Sequence, residues 1–205
     1  MKAITKYFPE LTAEQVMRLQ HFQEHIRSWN AKINVISRKD MDSLAVNHIL
    51  HSLAIAKFIA FTPGTKVLDI GTGGGFPGIP LAIVFPKTHF HLIDSIGKKI
   101  TVVQSFIHEA GITNAVAEKT RAEEVKDKYD FIVSRAVTSM PKFLPWTKGK
   151  IASRQQNKIH NGIIALKGGE LTGELEIIGR KYQEEAITQW FEESFFETKK
   201  IIYIP

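Results

Sequence analysis

The chain has 205 residues, 43% of them hydrophobic, and a formal net charge of +6. That length suits one α/β domain with an extension, or two small domains, and that hydrophobic content excludes a disordered polymer. The absence of cysteine excludes disulfides, cysteine-based zinc sites and a cysteine nucleophile.

The first stretch, "MKAITKYFPELTAEQ", lacks the apolar core of a signal peptide, and no run approaches the ~20 apolar residues of a membrane span. We therefore expect a cytoplasmic protein with no membrane partner. Residues 11–35 read as a helix. Thr12 is placed to N-cap it, with Gln15 completing a capping box, and Val16, Leu19, Phe22, Ile26, Trp29 and Ile33 form one apolar face. A second helix is expected over about 43–60, with Ile49, Leu53 and Ala56 on one side. His48 and His51 lie three residues apart on it. Two ligands without a third nearby make a poor metal site, so we assign no metal and read them as structural or RNA-contacting. "FTPGT" then punctuates the chain, dividing an N-terminal helical extension, 1–62, from a core, 63–205.

From Lys66 strands and helices alternate. "KVLDI", "HFHLID", "NAVAEK", "YDFIVS" and "GIIALKG" read as strands; "GIPLAIVF", Gly97 to Ala110 and a short segment near Arg121 read as helices. This is the pattern of βαβ units and a parallel sheet. "EEAITQWFE" and "TKKIIYI" follow each other closely as two late strands, which suggests a hairpin.

Charge is unevenly spread. Between Phe131 and Gly169 there is no acidic residue, while Arg135, Lys142, Lys148, Lys150, Arg154, Lys158 and Lys167 are basic. The whole positive surplus belongs to that segment, which reads either as a solvated loop or as a surface for a phosphate backbone. Phe143 and Trp146, interleaved there, are candidates to stack on bases or to pack their helix onto the sheet. Lys98 and Lys99, opening the helix after the second strand, are further phosphate candidates.

The chemistry centres on "VLDIGTGGGFPGIP". A strand runs into a glycine loop, where missing Cβ atoms let backbone approach a ligand at the carboxyl end of the sheet. "GGGFPG" formally matches a dinucleotide fingerprint. Counted from Gly71, which directly follows the strand, the sixth residue is Phe76, where a dinucleotide fold wants Gly or Ala. Asp69 lies within the strand. It either braces the loop or attracts a cationic cofactor, and it would repel a pyrophosphate. Asp94 ends the second strand, where a carboxylate accepts from ribose hydroxyls, with Ser95 beside it. These features favour S-adenosylmethionine (SAM) over a dinucleotide. Gly71, Gly73, Gly75, Phe76, Asp69, Asp94 and Ser95 are the candidate cofactor residues.

"VLDIGTGGGFPGIPLAIVFP", "LIDSIGKK", "FIVSRAV" and "ALKGG" resemble the small-subunit ribosomal RNA methyltransferase G family, also called glucose-inhibited division protein B; "AKINVISRKD" and "NHILHSL" resemble its N-terminal region. The likeness spans roughly Trp29 to Gly169. It implies a class I SAM-dependent methyltransferase fold, Rossmann-like, with a seven-stranded, mostly parallel sheet, helices on both faces and an N-terminal helical extension. It implies methylation of N7 of a guanine in 16S ribosomal RNA, free or in the small subunit. By the same resemblance Gly71, Phe76, Ala122, Glu123 and Arg135 contact SAM. Two positions depart from the family pattern: His51 stands where many members carry an acid, and Gly74 where many carry Pro.

Guanine N7 carries an in-plane lone pair and no proton, so its methylation needs positioning and electrostatics rather than a general base. No catalytic residue is assigned. Arg135, ending the fourth strand, is the candidate to position guanine or cofactor. Lys98, Lys99, Lys142, Lys148, Lys150, Arg154 and Lys167 are the RNA candidates, and a monomer is expected. Two rivals remain: an inactive SAM-fold RNA-binding or assembly protein, and an NAD(P)-dependent oxidoreductase.

Overall fold

The computed structural model describes residues 1–135 and 137–205, without the side chain of Arg38. Seven strands form one sheet: β1 (Lys66–Ile70), β2 (His89–Asp94), β3 (Ala115–Lys119), β4 (Phe131–Arg135), β5 (Gly162–Gly168), β6 (Gln183–Ala186) and β7 (Lys199–Ile204), in the order β3-β2-β1-β4-β5-β7-β6. The first five are parallel, and β7 runs antiparallel to both β5 and β6. Strand order reverses between β1 and β4, which opens a crevice at their carboxyl ends.

Strand alternation sorts the core into two layers. Val67, Phe131, Val133, Ile164 and Leu166 face one layer, while Leu68, Ile70, Ile132, Ile163 and Ala165 face the other. On the second face lie α6 (Met140–Thr147) and α7 (Thr172–Ile177), through Met140, Phe143 and Leu175. The first is covered by α4 (Gly78–Val84), α5 (Gly97–Glu109) and the N-terminal helices α1 (Lys2–Tyr7), α2 (Ala13–Asn30) and α3 (His51–Phe58). Leu19, Phe22, Ile26, Leu50 and Leu53 share one buried cluster with Val67 and Phe131, so the N-terminal region and the sheet are packed as one core.

The capping box of α2 is present, with the Thr12 side chain accepting from Gln15 N and the Gln15 side chain accepting from Thr12 N. Its expected end at residue 35 is corrected to Asn30. There the Asn30 Oδ1 accepts from Val35 N at 2.8 Å and Ile36 N at 3.0 Å, folding the chain back on itself. The expected second helix begins as a single π-turn, Ala45–Leu50, and continues as α3. The late strand expected over 184–192 is cut to β6. Beyond it Ile187 is buried from a 3₁₀ turn, Ile187–Gln189, and Phe191 from the stretch that follows, so apolar residues that resemble a strand fill the core from irregular backbone; a second 3₁₀ turn, Ser194–Phe196, buries Phe196. The helix α1 has no counterpart in the expectations.

Candidate active site

A cavity of about 430 Å³ opens at the carboxyl ends of β1, β2 and β4. Its floor is the loop Gly71–Gly74, with Asp94 and Ser95 after β2 on one side, Arg135 on the other, and Thr120–Glu123 after β3 at the far end. Gly71 has φ +73°, and a Cβ there would lie 2.7 Å from Val137, so both conformation and space demand glycine. The loop turns because Gly71 N and Thr72 N both donate to Ile93 O, and Gly75 N and Phe76 N to Thr72 O.

Asp69 does not line the cavity. It is fully buried beneath the loop, where its Oδ2 accepts from Thr72 Oγ1 at 2.6 Å and Gly78 N at 2.9 Å. Its Oδ1 has no hydrogen-bond partner. Burial pushes the carboxyl up to about 7, against the opposing pull of those two donors. Of the two roles the sequence leaves open, this geometry favours bracing the loop. It also bears on the cofactor. The backbone N–H at the start of α4, where a dinucleotide pyrophosphate would sit, is spent on a side-chain carboxylate.

Asp94 lies at the cavity wall, with Oδ1 accepting from Ile96 N at 2.9 Å and Oδ2 from Gly73 N at 3.0 Å. A carboxylate has about four acceptor sites, so two bonds leave capacity for two more donors. Lys99 Nζ approaches it at 4.0 Å. Phe76 is buried except for its cavity face, packed on Phe22 at 5.1 Å and His48 at 5.4 Å. The Arg135 guanidinium lies 4.7 Å over its ring. Nη1 of Arg135 donates to His48 Nδ1 at 2.9 Å and Asn47 O at 3.4 Å, and burial pulls its pKa down to about 10.

The structure therefore brings Gly71, Gly73, Phe76, Asp94, Ser95, Ala122, Glu123, Lys99 and Arg135 to one cavity. Gly75 is not in the wall; a Cβ on it would meet Ile79 at 2.8 Å, so it serves packing. Val35, Ile36, Thr120, Arg121 and Val137 also line it and are not among the candidates read from sequence, and Trp146, read as a base-stacking or packing residue, lines it too. Trp146 shares a wall with Ala122 and Glu123, while Phe143 is buried and packs α6 on the sheet. Val35 escapes notice because it falls in the stretch read as helix, and Ile36 because it directly follows it, although Asn30 is a helix-ending residue in plain view.

The basic segment does not form one surface. Lys150 is buried, which corrects its reading as an RNA contact. Lys167 is corrected too: its Nζ is bound to Glu174 Oε1 at 2.8 Å and Thr138 O at 2.9 Å. Arg154 and Lys158 are exposed but precede β5, at the amino ends of the strands, across the sheet from the cavity. Lys98, Lys142 and Lys148 are exposed. His51 is buried and neutral, its pKa lowered by burial and by Arg135. Among the described residues no group of three or more His, Asp or Glu side chains is placed to hold a metal, and no helix is long and apolar enough to cross a membrane.

Solved structures with the same architecture include a SAM-dependent methyltransferase from Aquifex aeolicus (TM-score 0.56, 18% identity, 78% of this chain and 92% of that one). Another is precorrin-6y C5,15-methyltransferase from Geobacter metallireducens (TM-score 0.56, 11% identity, 84% and 91%). These establish the class I methyltransferase fold. Relatives named ribosomal RNA small subunit methyltransferase G are far more similar. The one from Flavobacterium johnsoniae is 54% identical over 205 residues, covering 100% of this chain and 98% of its own. That from Bacteroides thetaiotaomicron is 52% identical over 203 residues, covering 99% and 98%. Residues 15–202 match the family described as rRNA small subunit methyltransferase G. The chain belongs to that family and is a SAM-dependent methyltransferase.

Proposed function

We propose that this chain methylates N7 of a guanine in small-subunit ribosomal RNA. The observation that carries this reading is a cavity at the strand ends whose lining, among the described residues, holds two carboxylates, two guanidinium groups and an ammonium but no histidine. N7 presents a lone pair without a proton, so a site that orients and excludes water suffices.

The cavity fits SAM: 430 Å³ lies within the usual range of about 300–1,000 Å³ for small-molecule sites, and Asp94 keeps acceptor capacity directed at it. When bound, SAM supplies a methyl group on a sulfonium. Asp94 is assigned to the ribose hydroxyls and Ser95 to the same end. Gly71 and Gly73 offer main chain at the floor, and Ala122 and Glu123 close the adenine end beside Trp146. Asp69 holds the loop from below. Arg135 and Phe76 form the wall toward the incoming base. A bidentate Arg grip on O6 and N7 would cover the attacking lone pair, so Arg135 is assigned to O6 or the ring face. Lys98, Lys142 and Lys148 are the remaining candidates for phosphates.

The test is mass mapping of small-subunit rRNA from cells with and without this protein. One guanine should lose a methyl at N7 in its absence. An unchanged methylation map, together with no label transferred from tritiated SAM to undermethylated small subunits, would exclude this function.

A further inference from the structure

We propose that His48, a neutral imidazole carrying its proton on Nε2, is a positioning residue that holds the Arg135 guanidinium against Phe76 at the cavity wall. The kinetic part of this inference rests on the methyl transfer proposed above; the tautomer itself does not.

The tautomer follows from donor counting. A guanidinium has only donors. Its Nη1 approaches His48 Nδ1 at 2.9 Å, so Nδ1 must present its lone pair. A neutral ring then keeps its proton on Nε2. That nitrogen faces Asp40 Oδ2 at 3.7 Å. Asp40 is itself held, its Oδ1 accepting from Asn47 Nδ2 at 3.2 Å, and the Asn47 carbonyl accepts from Arg135 at 3.4 Å. Asp40, Asn47 and His48 thus form a bracket that grips the guanidinium from one side, with the Phe76 ring 4.7 Å away as its other support.

The bracket depends on local backbone. Asn47 and His48 lie in the π-turn Ala45–Leu50. Such turns recur at functional sites, where they re-aim side chains that an α-helix would place elsewhere. The charged and titratable groups facing His48 are Arg135 from β4, Asp40 from the Arg38–Asp40 turn, and His51 from its own helical segment. Burial first and the guanidinium second pull its pKa down to about 3, leaving it neutral at any working pH.

A neutral partner has a consequence that an acidic one would not. A carboxylate in this place would neutralise the guanidinium and draw it out of the cavity. Imidazole, ring face and carbonyl orient it while leaving its charge open to an oxygen on whatever enters, which in the proposed reaction is guanine O6. His48 is therefore neither a metal ligand nor a proton carrier. It acts only through Arg135.

The test begins with the free protein carrying ¹⁵N-histidine, whose long-range proton–nitrogen spectrum reports each ring nitrogen. His48 should show an unprotonated Nδ1 and a protonated Nε2, unchanged between about pH 5 and 8, where ordinary histidines titrate. The opposite tautomer, or titration in that range, overturns the proposal. This measurement needs neither RNA nor turnover. If the wild-type protein labels no small subunits, the proposed function fails while the spectrum still decides the tautomer. The kinetic arm compares His48→Leu with His48→Asn, whose amide oxygen can accept from Arg135. His48→Leu should lower kcat on undermethylated small subunits roughly ten- to a hundredfold, as expected for losing a hydrogen bond to a charged group. His48→Asn should return to within about fivefold of wild type. A His48→Asn as slow as His48→Leu, or a His48→Leu as fast as wild type, refutes the positioning role.

Discussion

The two edges of the sheet treat a buried carboxylate in opposite ways. At the amino edge Asp130 is consumed by its surroundings: Oδ2 accepts from Lys66 N at 2.8 Å and Gln156 Nε2 at 3.2 Å, and Oδ1 from Asn161 Nδ2 at 3.3 Å. Asn161 Nδ2 goes on to Ala152 O and Arg154 O, closing the loop that leads into β5. At the carboxyl edge polar capacity is left over. Asp94 has acceptor sites to spare, and Arg135 is hydrogen-bonded only to neutral groups. The amino edge is not free of unpaired atoms, since Asn157 Nδ2 and Asn161 Oδ1 lack partners. The difference lies in the carboxylates: one tied to three donors locks a fold, whereas one with spare acceptor sites beside a cavity is available to a ligand.

The largest expected effect breaks the closed edge. Asp130→Ala strands the Lys66 N–H and the Gln156 side-chain amide and should cost about 3 kcal/mol of stability, read by chemical denaturation, while SAM affinity of the folded protein stays near wild type. A stability loss well under 1 kcal/mol would show that the amino edge is not the locked one.

Next, Asp94→Ala should weaken SAM binding roughly ten- to a hundredfold by calorimetry, through lost hydrogen bonds to a charged acceptor, with a smaller effect on unfolding. Unchanged affinity would remove its ribose role.

A subtler effect concerns pH. The folded pKa of Asp69 is raised from 3.8 to about 7 by burial, so between those values the folded state binds more protons than the unfolded one. Stability contributed by this group is complete below pH 3.8 and is lost as pH rises toward 7. Asp69→Asn keeps an acceptor for Thr72 and Gly78 and should remove that decline from the stability–pH profile, with SAM affinity little changed. A profile identical to wild type would mean that Asp69 is ionised in the fold.

The smallest effect separates the two edges by charge. Lys142→Gln should reduce the log–log salt slope of RNA binding by about 0.7, the value for one single-strand phosphate contact, and Arg154→Gln should leave it unchanged. Equal slopes for the two variants would mean that RNA does not distinguish the edges.

Much of the fold is legible in the sequence because it is written in short-range pattern. The apolar run Val67, Leu68 and Ile70, interrupted only by Asp69 and ended by Gly71, marks a strand, and Thr12 with Gln15 marks a helix start within four residues. The cavity end is legible for a related reason: Gly71, Gly73, Asp94 and Ser95 sit at the ends of strands, where chain order alone sets their place. Periodicity misleads where packing overrides it. Ile33 continues the apolar spacing of α2, but Asn30 has already turned the chain. Ile187 and Phe191 are apolar because they plug the core, not because they belong to a strand.

By itself the sequence determined the β/α order, the glycine loop and the carboxylates beside it, because each depends on neighbours a few residues away. Only the tertiary structure decided that Asp69 lies under the loop, that Lys150 and Lys167 are unavailable to RNA, and that Val35 and Trp146 face one cavity. It alone joined Arg135 to His48 across 87 residues. Those facts depend on how helices from distant segments settle on the two faces of a twisted sheet, and no local pattern encodes that packing.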